Sequence, residues 1–196
     1  MVVGYHLIWT AYGWWLPNDP RGSSSHEIRV ERIADLGELH YGRKAAQPSS
    51  PELRLFYDNA RSALKHELLS FSLEATALIA DAFAAAIEEW NYTCYACAIM
   101  RDHVHILIRR HRDKAEVMLA QLQARSRERL IQSGARTAPH PVWGGPGWKR
   151  FLSTRGDIER IIAYIRNNPR AAGLAEQTWP FVKAYDGWLP KPARES

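Results

Sequence analysis

Tyr92-Thr93-Cys94-Tyr95-Ala96-Cys97-Ala98-Ile99-Met100-Arg101-Asp102-His103-Val104-His105-Ile106-Leu107-Ile108-Arg109 is the stretch from which the fold is read. Two largely apolar runs flank the polar step Arg101-Asp102, the pattern of a β-hairpin. Side chains on a strand alternate between faces. Val104, Ile106 and Ile108 therefore share an apolar face turned to a core, and His103 and His105 stand together on the other. Two neighbouring imidazoles can share one metal ion, although a bare His-x-His is more often a pair of half-exposed histidines. Cys94 and Cys97 lie three apart, which predicts opposite faces and argues against a disulfide or a shared metal. The chain has no other cysteines to complete a zinc site.

Working outward, Val2–Trp9 reads as a further strand. From about residue 13 to 51 the texture changes to a loop-rich insertion, with a short extended piece near Ile28–Ile33. Adjacent Trp14 and Trp15 are costly to expose, so this insertion is expected to be ordered or to bind a ligand. Glu52–Leu69 has short helical stretches. Ser72 is placed to cap a helix reaching Trp90, with Ile79, Phe83, Ile87 and Trp90 on one stripe. After the hairpin, a helix over Lys114–Ile131 turns Met118, Leu119, Leu122 and Leu130 inward. The Gly144-Gly145-Pro146-Gly147 turn leads into a strand at Trp148–Leu152. A last helix begins near Asp157, buries Ile158, Ile161, Ile162 and Ile165, and should stop at Pro169. The order β-α-β-β-α-β-α predicts an α+β split sandwich: one antiparallel sheet with helices packed on it, in a single domain over residues 1–196.

The 196 residues carry a formal net charge of +5, but unevenly. Residues 101–170 hold 15 Lys and Arg against 6 Asp and Glu, a net of +9. Such a concentration is the footprint of a polyanionic partner, nucleic acid first, against the plainer reading of a solvated basic surface. No run approaches the ~18–20 apolar residues of a membrane span, and the first residues lack the basic start and cleavage site of a signal peptide. A cytoplasmic protein with no membrane partner is expected.

The last helix supplies a second motif, Tyr164-Ile165-Arg166-Asn167-Asn168-Pro169-Arg170-Ala171-Ala172-Gly173-Leu174. Tyr164 and Asn168 are four apart and share a helix face, with Arg160 one turn earlier on the same side. His-Val-His on a strand, followed by a helix bearing Tyr and, four residues on, Asn with N-P-x-x-A-G-L, resembles the single-tyrosine HUH transposases. The likeness is to their REP-associated branch, related to the smallest insertion-sequence transposases, and runs from Tyr5 to about Leu174. It implies a ferredoxin-like or RRM-like antiparallel sheet bearing the histidines, with the catalytic tyrosine on a C-terminal helix beside it. It also implies metal-dependent cleavage and rejoining of single-stranded DNA next to hairpins. His103 and His105 match the metal-binding histidines, Tyr164 the nucleophile and Asn168 the third, amide ligand. Asn168 replaces the Gln of the autonomous insertion elements. The long insertion at 13–51 departs from the simplest pattern.

The chemistry follows from these groups. A divalent ion, Mg²⁺ or Mn²⁺, neutralises the phosphodiester's charge and polarises phosphorus. Attack by the Tyr164 oxygen leaves a 3′-hydroxyl and a 5′-phosphotyrosine, whose bond energy lets another 3′-hydroxyl rejoin the strand. A phenol is a weak nucleophile until it loses its proton, and the sequence names no obvious base. Arg109, Lys149, Arg150 and Arg160 are candidate phosphate contacts, and Trp14, Trp15, Trp143 and Trp148 candidate stacking residues. His6, His111 and His140 read as structural or surface residues. The alternatives are a domesticated DNA-binding protein of the same fold that no longer cuts, an RRM-like module and a metal-dependent hydrolase. The last two fit poorly, one because histidines stand where stacking aromatics are needed, the other because Tyr164 would have no part. The family includes both monomers and homodimers.

Overall fold

Strand β1 (Gly4–Thr10) sets the architecture because both of its faces are covered. Tyr5, Leu7 and Trp9 point into one core, while Gly4, His6 and Ile8 lie on the opposite face. A computed structural model describes residues 1–23 and 25–190. Along the chain follow α1 (Glu31–Ala34), α2 (Ser50–Ala63), α3 (Leu73–Glu89), β2 (Cys94–Ile99), β3 (His103–Arg109), α4 (Ala115–Gln132), β4 (Trp148–Leu152) and α5 (Arg155–Ala171). The strands form one antiparallel sheet in the order β2-β3-β1-β4. The molecule is α+β, as the alternation of elements predicts.

The main core lies between the sheet and the pair α3 and α4. Ile79, Phe83 and Ile87 of α3 and Met118, Leu119 and Leu122 of α4 meet Val104, Ile106 and Ile108 of β3 there. Helix α5 packs on the other face, where Ile158, Ile161 and Ile165 meet Leu107 of β3 and Tyr95, Ala96 and Ala98 of β2. The helices split between the faces because each carries a single apolar stripe. Before β4, Gly147 takes a left-handed φ of +71°, and a Cβ there would meet the Ile8 carbonyl at 2.7 Å. The turn thus needs glycine on two counts.

Several local expectations are corrected. Cys94 and Cys97 share the main core, because a β-bulge between Cys94 and Ala96 shifts the alternation by one residue. Both remain free thiols, and burial pushes both up in pKa. Residues Ile28–Ile33 form no strand; the short helix α1 begins at Glu31. In place of short helical stretches over 52–69 there is one helix, α2, which ends at Ala63 and is closed at its start by a reciprocal capping box between Ser49 and Glu52. Pro169 does not stop α5. Its ring is buried at the end of the apolar stripe, and the helix finishes two residues later. Gly173 and Leu174 then close it by donating to the carbonyls of Arg170 and Pro169, a Schellman motif.

After α5 the chain runs back along the outer edge of β2. The Gln177 side chain bonds both backbone groups of Ile99, and Lys183 N–H donates to the Cys94 carbonyl. No helix among the described residues is long and apolar enough to cross a membrane.

Candidate active site

The face of the sheet that carries His103 and His105 is the one that α5 covers only in part. Helix α5 lies over β2 and β3, and its apolar stripe fixes its rotation. Tyr164 precedes the fully buried Ile165, so it flanks the stripe and stays 48% exposed. Its ring sits 5.4 Å from that of His105, edge to face. Thr154 caps α5 through a capping box with Asp157, which anchors the start of the helix three turns before the tyrosine.

The two imidazoles meet nearly at right angles, with ring centroids 4.8 Å apart. Each is held at Nδ1. His103 Nδ1 bonds Asp102 Oδ1 at 2.6 Å, and His105 Nδ1 lies 3.0 Å from Nε2 of His6. His105 is 5% exposed and His6 only 3%. Burial, and then the neighbouring His103 and His6, hold His105 well below the ordinary histidine pKa. Burial, reinforced by Arg150, lowers His6 to about 4. Burial alone would raise the Asp102 carboxyl; the His103 hydrogen bond and charge, with Arg21, outweigh it and hold the group ionised.

These donors fit a divalent cation. With both Nδ1 atoms engaged, Nε2 of each histidine is the nitrogen left for a metal. At metal–nitrogen bonds of roughly 2.1 Å, two perpendicular rings on one ion have centroids about 5 Å apart, close to the spacing seen. Among the described residues no trio of His, Cys, Asp and Glu converges on one point, so a third protein ligand has to be another kind of donor. Asn168 stands one turn beyond Tyr164. Its Nδ2 donates to the Tyr164 carbonyl at 3.2 Å, which turns the amide along the helix and leaves Oδ1 as the acceptor. The structure thus brings His103, His105 and Tyr164 together, whereas Asn168 bonds within its own helix.

The candidate phosphate contacts scatter. Arg150 lies on the site face, opposite His6 across the β1–β4 pairing, with half-exposed Trp148 two residues before it on the same face. Arg160 is exposed one turn before Tyr164 and pairs with Asp157. Lys149 points to the other face and pairs with Glu116 of α4 at 3.3 Å. Arg109 is six residues along β3 from His103, roughly 20 Å at the rise of a strand, with its guanidinium 4.8 Å from the centre of the Trp188 ring. Trp143 packs against Trp9 and Phe71 in the main core. His111 and His140 lie away from the site, against Tyr92 and Tyr12.

The 13–51 insertion reaches the site from the side of His103. Trp15 stands nearly at right angles to His103, with ring centroids 6.5 Å apart. Its own ring carries Arg21 at 3.6 Å. Arg21 forms an ion pair at 2.7 Å with the fully buried Asp19, which also accepts the Tyr57 hydroxyl of α2. Trp15 holds a left-handed φ of +54°, strained for a tryptophan and fastened by its N–H to the Tyr57 oxygen at 2.9 Å. Trp15 was among the candidate stacking residues, whereas His6 and Asp102 were not legible as site elements from motifs alone. For His6 a signal existed: it alternates away from the Tyr5, Leu7 and Trp9 face, and a split sandwich puts the first strand beside the histidine strand.

Residues 63–168 match the model of the family described as "Transposase IS200 like". Curated proteins give no match. Similar solved structures include a REP-associated tyrosine transposase bound to a REP hairpin, at 10% identity and a TM-score of 0.45, covering 91% of this chain and 74% of that one. Another is a putative transposase from Deinococcus radiodurans, at 16% identity and a TM-score of 0.34, covering 85% of this chain and 91% of that one. The family match spans α3 through most of α5, includes both histidines, the tyrosine and the asparagine, and covers more than half of the chain: the protein belongs to the IS200-like transposases.

Proposed function

We propose that the protein cuts and rejoins single-stranded DNA beside a hairpin, with Tyr164 as nucleophile and a divalent cation held by His103, His105 and Asn168. The observation that carries this reading is the half-exposed phenol packed at right angles against the buried His105 ring, which stands beside partly buried His103, both imidazoles being engaged at Nδ1. The Tyr164 hydroxyl gives up its proton to solvent, and its oxygen bonds to phosphorus as the P–O3′ bond breaks. The departing 3′ oxygen takes a proton and becomes a hydroxyl, and the 5′ side stays on the tyrosine. A bound Mg²⁺ or Mn²⁺ would supply Lewis-acid stabilisation of the phosphate charge. Reversal by another 3′-hydroxyl needs no external energy, because the phosphotyrosine retains that of the broken bond.

The protein's own groups do the positioning. Asp102 orients His103, and Ile165 and Pro169 fix the rotation of α5 that turns Tyr164 to the site. Arg150 and Arg160 flank the tyrosine and serve as phosphate contacts, with Trp148 and Trp15 as stacking surfaces for unpaired bases. Lys149 and Arg109 are placed to contribute to the wider basic field.

The test incubates the protein and Mn²⁺ with a hairpin oligonucleotide carrying a single-stranded flank from its own genomic surroundings. A covalent protein–DNA adduct should resist denaturation. Tyr164→Phe should form none, and His103→Ala and His105→Ala should each lower its rate at least a hundredfold. An adduct from Tyr164→Phe, or cut product without any adduct, overturns the nucleophile. A shifted but intact oligonucleotide favours the domesticated, non-cutting protein.

A further inference from the structure

We infer that His6 of β1 is a positioning residue for the metal site, accepting the Nδ1–H of His105 so that His105 presents Nε2 to the cation. The inference rests on the metal reading above and adds a residue to it. One proton lies between His6 Nε2 and His105 Nδ1, which are 3.0 Å apart. If His6 donated that proton, neutral His105 would carry its own hydrogen on Nε2 and that nitrogen would have no lone pair for a metal. Ligation therefore requires His6 in the form with a bare Nε2 and its hydrogen on Nδ1. His6 Nδ1 is buried and without a partner among the described residues. This form buries an N–H without a partner, so the orientation that frees His105 Nε2 comes at a cost in stability.

The placement is specific. His6 and His105 lie on adjacent strands on one face, with their rings 5.1 Å apart, and Tyr164 stands against both. Asp102 does the same for His103 from the neighbouring turn. Each of the two histidines thus has its own outer partner, one charged and one neutral. Such partners fix the tautomer and ring orientation of ligating histidines.

The test measures Mn²⁺ binding by the free-ion electron paramagnetic resonance signal, without DNA. His6→Leu keeps the shape and removes the acceptor; His6→Gln restores a carbonyl oxygen near the position of Nε2. His6→Leu should weaken Mn²⁺ binding at least tenfold, and His6→Gln should stay within about threefold of the unaltered protein. Nitrogen-15 correlation spectra of the unaltered, metal-free protein should show His105 protonated on Nδ1, a readout that does not depend on any variant folding. Unchanged affinity in His6→Leu overturns the inference, as does His105 protonated on Nε2. If affinity is lost in His103→Ala but kept in His6→Leu, this inference fails and the metal reading stands. If the unaltered protein binds Mn²⁺ no better than His103→Ala, the metal reading fails and takes the inference with it.

Discussion

At the scale of single residues, the burial that organises the histidines also makes the metal-free protein acid-sensitive. His6 titrates near 6.5 in the unfolded chain and near 4 in the fold. Above pH 6.5 both states are neutral and stability is whole. As pH falls towards 4 only the unfolded chain takes the proton, so stability drops; His105 is shifted the same way and adds to the loss. Between pH 7.5 and 5, urea denaturation in the presence of a chelator should show a loss of roughly 2 kcal/mol from His6 alone. A flat profile would mean that His6 is solvated. The histidine pair was legible in the sequence because a period of two puts His103 and His105 together whatever surrounds them. Their outer partners were not, since the contact of His6 with His105 exists only once two strands far apart in the chain are neighbours.

At the scale of elements, α5 and the insertion differ in how much their sequences disclosed. The isoleucine stripe gave the inward face of α5, and hence the side on which Tyr164 emerges. Its end was misread because a buried proline in the last turn loses one hydrogen bond but keeps its packing. Replacing Thr154 by Ala should cost about 1 kcal/mol in thermal or urea unfolding by removing the capping box. Trp14 and Trp15 pointed to an ordered or ligand-binding insertion but not to what orders it, which is the cluster of Asp19, Arg21, Tyr57 and Trp15 rather than any periodic pattern. Asp19→Asn leaves Arg21 largely buried without its counter-charge and should cost about 3 kcal/mol. Limited proteolysis of that variant should nick residues 13–51 well before the sheet is attacked; simultaneous digestion would show that the insertion and the sheet unfold as one. The cysteines were misplaced for a different reason: a bulge breaks the period of two, and nothing local in Thr93-Cys94-Tyr95-Ala96 announces it.

At the scale of the whole molecule, the surplus of positive charge in residues 101–170 should make binding of single-stranded DNA strongly salt-dependent. In a plot of log affinity against log salt, Arg150→Ala should flatten the slope by about one unit. Arg109→Ala should leave that slope nearly unchanged and lower the melting temperature instead, because its guanidinium rests on Trp188 of the C-terminal tail. Equal effects of the two on the slope would place the DNA path along the whole of β3. The strand order has a further consequence, for time rather than space. β1 is made first, yet it lies inside the sheet, and its neighbour β3 follows only after α1, α2, α3 and β2; His6 and His105 are 99 residues apart. A central strand that waits so long for its partners gives the chain a high contact order, and such chains fold slowly. Helix α5, which bears Tyr164, follows all four strands and has no surface to rest on until β2 and β3 are joined. The proposed nucleophile thus reaches its place only after the strands that carry the histidines are joined.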